Sequence, residues 1–386
     1  MVRHELLNLS VGGNRPGGRF SEWRVGPFVV TFVGDYEETV KRLPKIASRT
    51  DGWEFDEKTG NMRKTTVFNE GRVGEWIATS VATLSDEDAA STASLLADDP
   101  IEDGGLWDLC NILTFLTGQR VASGDQSDRW PLRDSGNHVC NPSMVLFAAP
   151  QMWGRRDRLR ELGMEYALLM HNEANGLSML QASGALYTMA VNVLLDRYPV
   201  EVAPEATGTD GGEDHRDIVC PVVGQAIAEA TGLSPELKAG WQAKLLSVAR
   251  QGLSGSMKGR LESLLASLRL LASEELQKPE VKRRIKCVNK VRNVLMHAGR
   301  LPGTLPGAKS REVAERYGVA IALGVFPDLV QVGLWKAMGL PSEGGPSLLQ
   351  QTDNLRAFFL QGRARGWPLE DVAFEEWFES DAGYEQ

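Results

Sequence analysis

The rhythm of apolar and polar positions changes about a third of the way along the chain. Residues 23–32 (WRVGPFVVTF) are dense in β-branched and aromatic side chains, and residues 64–68 and 73–84 read similarly, with Gly, Asn and Asp between the runs. Such segments predict strands. Residues 85–98 predict a helix that Ser85 can cap, with acidic residues in its first turn. Residues 106–121 (LWDLCNILTFLTGQRV) predict an amphipathic helix ending at Gly118. Residues 1–121 are therefore expected to form a β-rich or α+β N-terminal domain with a regulatory or sensing role.

Beyond a stretch dense in Ser, Gly, Asp, Asn and Pro, taken as a linker over residues 122–150, apolar residues recur at three and four and the chain reads as helical to residue 365. Helices are expected over 159–198, in two segments meeting near residues 172–176, and over 234–251, 256–272, 279–298, 310–338 and 347–362. A glycine-rich polar break at 204–217 interrupts them, and an acidic tail occupies 366–386. The expected class is α+β, a β-containing N-terminal domain followed by an all-helical bundle.

A chain of 386 residues suits two or three domains, and its formal net charge of −9 disfavours a general nucleic-acid coat. Binding to a polyanion must come from a local basic patch. The four cysteines, Cys110, Cys140, Cys220 and Cys287, lack CxxC spacing, which argues against a zinc knuckle and a disulfide framework and fits a reducing cytoplasm. No metal and no cofactor is expected. The N-terminus lacks the apolar core of a signal peptide, and no run of about eighteen uninterrupted apolar residues suggests a membrane span.

One predicted helix concentrates cations. Over 279–298 (PEVKRRIKCVNKVRNVLMHA), Lys282, Lys286 and Lys290 recur every four residues, Arg283 and Arg284 widen the stripe, and Glu280 is the one acidic residue. Such a stripe can hold phosphates, or it is simply a solvated helix face. Asn289, Asn293 and His297 also recur at four, beside Arg292. An imidazole can move a proton on or off a ribose 2′-hydroxyl, a guanidinium can stabilise charge on a phosphate in transfer, and an amide can orient either. Those are the roles needed for metal-independent RNA cleavage.

This helix resembles the signature helix of HEPN-type ribonucleases, which carry an arginine, a polar neighbour and, after a short run, a histidine. The resemblance puts those roles on Arg292, Asn293 and His297, with RNA guided by Lys282, Arg283, Lys286 and Lys290. It implies a helical bundle that pairs with a second copy, so that two signature helices form one cleft. The phrase LTFLTGQRV also resembles a segment of ApeA-type phage-defence proteins, which implies an antiviral endoribonuclease, plausibly acting on tRNA, held silent until a phage-derived or protein trigger arrives. Ala298 stands between His297 and Gly299, where many family members place glycine directly after the histidine.

The bare pattern also occurs at Arg133–His138, where Pro131, Gly136 and Pro142 predict a loop. His138 with Cys140 lacks further ligands for a metal, and His215 reads as exposed. His171 and Glu173 are expected to solvate a helix face or cap a break, with Glu173 as a second proton carrier the sharper alternative. The ten tryptophans read as core or domain-interface residues. Two further readings remain open: a non-catalytic HEPN adaptor in which the arginine and histidine brace helices, and a nucleotide-binding sensor. Catalytic residues should reach solvent, whereas bracing residues should be buried and internally bonded.

Overall fold

Strand β1 (Val2–Leu7) belongs to a sheet of order β2-β3-β6-β1-β7, with β2 at Trp23–Val25, β3 at Phe28–Phe32, the central strand β6 at Ala78–Leu84 and β7 at Ala122–Ser123. Every neighbouring pair is antiparallel; Glu5 faces Val81, and Val30 faces both Trp23 and Ala82. In the computed structural model the described residues are 2–11, 22–43, 48–56, 61–69, 76–84, 105–124, 139, 144–177, 180–198, 225, 257–299, 317–340, 346–364 and 367–368. The expected helices over 85–98 and 234–251, the break at 204–217, the acidic tail beyond Pro368, His138, Cys140 and His215 lie outside them.

A five-stranded antiparallel sheet and a mostly helical remainder make the fold α+β, as the two rhythms suggest. The remaining elements are α1 (Tyr36–Lys41), the hairpin β4 (Ser48–Asp56) and β5 (Asn61–Asn69), α2 (Leu106–Thr117), α3 (Val145–Glu161), α4 (Glu165–Gly176), α5 (Leu180–Arg197), α6 (Met257–Ser267), α7 (Ser273–Leu276), α8 (Pro279–Ala298), α9 (Tyr317–Ala337), α10 (Pro346–Gln361) and the short strands β8 (Arg363–Ala364) and β9 (Trp367–Pro368). Two compact units result: Met1–Tyr198 with Lys290–Gln386, and Pro199–Asn289. Residues on both sides of the polar stretch after residue 121 belong to the first unit. Ala122 and Ser123, expected in a linker, pair with Leu7 and Leu6 as the sheet's edge.

In the first unit, alternation puts Trp23, Val25, Phe28, Val30, Ala82 and Leu84 on the buried face of the sheet. Helix α3 docks there through Trp153, whose indole meets Phe28 edge-on at 5.5 Å and carries the Arg156 guanidinium 4.2 Å above it. Pro150 lacks the N–H that would bond the carbonyl of Leu146 one turn back, and that carbonyl instead accepts the Trp23 indole N–H at 2.9 Å. A helix defect thus becomes a sheet-to-helix bond. Gly26 turns between β2 and β3 at φ 56°, and a Cβ there would run into the Trp153 indole. Gly26→Ala combines left-handed strain with overpacking and is expected to cost about 2–4 kcal/mol, read as a lowered urea midpoint.

Helix α2 ends at Gly118 as expected but is not amphipathic: ten of its twelve residues, Asp108 and Asn111 among them, are buried. It is enclosed by the sheet side, α3 and α4, so its polar residues bond inward instead of to water. Helix α9 widens into a π turn at Ile321–Val325 and is long and apolar enough to cross a membrane. Gly324, Asp328 and Gln331 break its apolar run, which hid it from the sequence criterion. It is a core helix, with 83 % of its most apolar stretch buried inside the protein.

Candidate active site

Helix α8 starts and stops as its sequence dictates. Pro279 takes the first position, where a missing N–H costs nothing. Gly299, at φ 60°, turns the chain out and gives its N–H to Leu295 O at 3.1 Å. Val281, Ile285, Val288, Val291 and Leu295 repeat at three and four and are all buried. Residues through Asn289 belong to the second unit and those from Lys290 to the first.

In the second unit, Arg283 and Lys286 are exposed and Lys282 is half-exposed, its ammonium donating to Gln277 Oε1 at 2.6 Å. Arg284 does not widen this stripe. It follows Val281 by three and precedes Val288 by four, which turns it toward the apolar face, and it is buried at 7 % exposure. Asn289 is half-buried.

In the first unit, the last turns of α8 lie along α5. Gly184 on α5 makes room for this: a Cβ there would stand 3.5 Å from Leu295 Cδ1 and 3.1 Å from Ala322 Cβ on α9. Arg292 is half-buried, and its Nε donates to Asn192 Oδ1 of α5 at 2.9 Å. Its Nη1 donates to Asn293 Oδ1 at 2.8 Å. Two amide oxygens, one on each helix, thus accept from this guanidinium. Asn293 and His297, four apart on one side of the helix, are exposed, as is Met296. Lys290 is half-exposed. The three sequence-predicted residues thus occupy the solvent-facing end of α8, with the guanidinium anchored and the imidazole open to water.

Asn192 was not foreseen. Its one sequence signal is an amide between Val191 and Val193 in an otherwise apolar run, a position where a buried or half-buried polar group needs a partner.

His171 and Glu173 do not solvate a helix face. His171 is fully buried between Phe115 and Tyr187, with ring centroids at 5.1 and 5.6 Å. Its Nε2 lies 3.1 Å from Gln331 Nε2 on α9 and its Nδ1 3.5 Å from Asn172 Oδ1. Both ring nitrogens thus have polar neighbours, and which of them donates follows from the tautomer. Asn172 donates to Asn111 O at 2.9 Å, and the Tyr187 hydroxyl donates to Asn175 Oδ1. Glu173 accepts from Arg120 Nη1 at 3.0 Å, the guanidinium being 6 % and the carboxylate 20 % exposed. Burial pushes the Glu173 carboxyl above its usual range, and Arg120 only partly draws it back. The polar string 171–175 is an interior network that ties α4 to α2, α5 and α9.

Among the described residues no group of three or more His, Cys, Asp or Glu is arranged to hold a metal. No protein-family model matches the chain, and neither a curated protein nor a solved structure matches it.

Proposed function

We propose that the protein is a HEPN-type endoribonuclease in which Arg292, Asn293 and His297 cleave RNA without metal. The observation that carries this reading is that an exposed His297 and an Arg292 anchored on two amide oxygens lie on the last turns of one helix. In the proposed reaction the ribose 2′-oxygen attacks the adjacent phosphorus and passes its proton to the imidazole of His297. The guanidinium of Arg292 balances the charge gathering on the phosphoryl oxygens, and the bond to the 5′-oxygen breaks as that oxygen takes up a proton. The products are a 2′,3′-cyclic phosphate and a 5′-hydroxyl. Asn293, whose oxygen is engaged by Arg292, keeps its amide NH2 as a donor for the phosphate or ribose.

A second copy belongs to the proposal, bringing another Arg292–His297 pair to the same RNA. Met296 on α8 and Met189 on α5 are exposed apolar side chains on the helix pair that the Asn192–Arg292 bond joins, which favours an apolar helix-to-helix contact there. An antiviral role, an external trigger and tRNA as the substrate are what the resemblance to ApeA-type proteins implies.

The adaptor reading draws support from one observation, that Arg292 bonds Asn192 across two helices and so can brace them. The two readings part on activity. Total RNA, with the chelator in excess and with or without extract of phage-infected cells, should be cleaved by the wild type and left intact by Arg292→Ala; intact RNA with both proteins throughout favours the adaptor.

Lys282 and Lys286 are expected to contact phosphates. Replacing both with Ala should weaken RNA binding and flatten the plot of log affinity against log salt by about 1.4, roughly 0.7 per lost contact to a single strand. Fluorescence anisotropy across a salt series reads both effects.

A further inference from the structure

We infer that Asn192 on α5 is a positioning residue for the arginine of this site, an inference that rests on the ribonuclease reading of α8. A guanidinium on a flexible stem can present its donors in many directions, and transition-state stabilisation requires one of them. Here the Nε edge is fixed by Asn192 Oδ1 at 2.9 Å and the Nη1 position by Asn293 Oδ1 at 2.8 Å. Two acceptors on different helices set the plane of the group as well as its place. Asn293 alone cannot, since it rides on the same helix beside Arg292 and would move with it.

The acceptor's chemistry matters as much as its place. An amide oxygen orients the guanidinium and leaves its charge whole, whereas a carboxylate would form a stronger bond and oppose that charge. The surroundings make Asn192 a firm support: its neighbours Val191 and Leu194 are buried, and Leu194 lies against Gly333 of α9. Gly184, on the same helix, is closed in by Leu295 and Ala322. Helix α5 is therefore held by α8 and α9, and the amide it presents is held with it.

The discriminating series is Asn192→Ala, Asn192→Asp and Arg292→Ala, each compared with the full-length wild type on a fluorescent oligoribonucleotide in excess chelator, with thermal midpoints measured alongside. Asn192→Ala is expected to lower kcat about tenfold to a hundredfold with KM little changed, as a misaimed catalytic group does. Asn192→Asp should keep the thermal midpoint and still cleave slowly, because it restores the bond but opposes the charge. A residue that only held helices together would give the opposite pattern: Asp would restore both rate and midpoint. Wild-type rates in Asn192→Ala and Asn192→Asp, with Arg292→Ala inactive, would overturn the positioning role and leave the ribonuclease reading standing. If Arg292→Ala cleaves as the wild type does, both fall together. The 15N–1H signal of Arg292 Nε then reports separately whether the bond to Asn192 exists.

Discussion

His297→Ala is expected to lower RNA cleavage about a thousandfold while leaving the fold intact. Proton transfer by a positioned side chain contributes roughly 10²–10⁴-fold to such reactions, and His297 is the one imidazole at this end of α8 among the described residues. Its exposure makes the variant clean: truncating an exposed side chain changes stability by about 0.5 kcal/mol or less, so the thermal midpoint should hold within a degree or two. His171 sharpens the contrast. It is fully buried and bonded to Gln331, so its removal should unsettle the core before it affects any chemistry. Added imidazole should restore part of the activity of His297→Ala, because the vacated position opens to solvent. A variant that cleaves at the wild-type rate would remove His297 from the reaction.

A large, pH-dependent stability effect is expected at Arg120. This guanidinium, 6 % exposed, faces the Glu173 carboxylate at 3.0 Å, and Arg120→Ala would leave that carboxylate largely buried without its counter-ion. Breaking a buried pair in this way costs about 3–5 kcal/mol, and the 20 % exposure of Glu173 argues for the lower end, about 3 kcal/mol. Replacing both residues with Leu should cost far less, about 1 kcal/mol, because neither charge then remains to be desolvated.

The pH dependence separates this cause from a simple loss of packing. Burial raises the folded-state pKa of Glu173 above its unfolded value, so the native state favours the protonated form. The stability this lends is fully present below the ordinary carboxyl range and is lost as pH rises through the raised value. Without Arg120 the rise should be larger. The deficit of Arg120→Ala should therefore be greatest near neutral pH and shrink on acidification toward about pH 4. Urea unfolding across that range measures it, and a deficit independent of pH would mean that packing, not charge, holds the pair in place.

Much of α8 was legible because its signals are local. Pro279, Gly299 and the three-four spacing of Val281, Ile285, Val288, Val291 and Leu295 lie in one short segment, and they fix both ends and the buried face. Strands β3 and β6 were legible for the same reason. Strand β1 was not, since VRHELL offers only a weak alternation and its strand character comes from pairing with β6 some eighty residues on. The polar string His171-Asn172-Glu173-Ala174-Asn175 reads as a surface, and periodicity cannot reveal that its partners are Gln331, Asn111, Arg120 and Tyr187. Burial of polar groups is set by long-range contacts that a local pattern does not carry. The candidate site shows both sides of this: Arg292, Asn293 and His297 could be read from one helix, whereas Asn192, one hundred residues earlier, could be recognised only once α5 and α8 were brought together. Arg284 errs in the other direction, counted with the cations by composition and turned inward by its place on the helix.

The most direct test of the ribonuclease reading is the chemistry of the new RNA ends. Wild-type protein and His297→Ala are incubated with tRNA in excess chelator, with and without extract of phage-infected cells, and the fragments are examined by mass spectrometry for their termini. The expected result is fragments ending in 2′,3′-cyclic phosphate opposite 5′-hydroxyls from the wild type, and intact tRNA from His297→Ala. Fragments formed equally by both proteins, or fragments bearing 5′-phosphates, would contradict it.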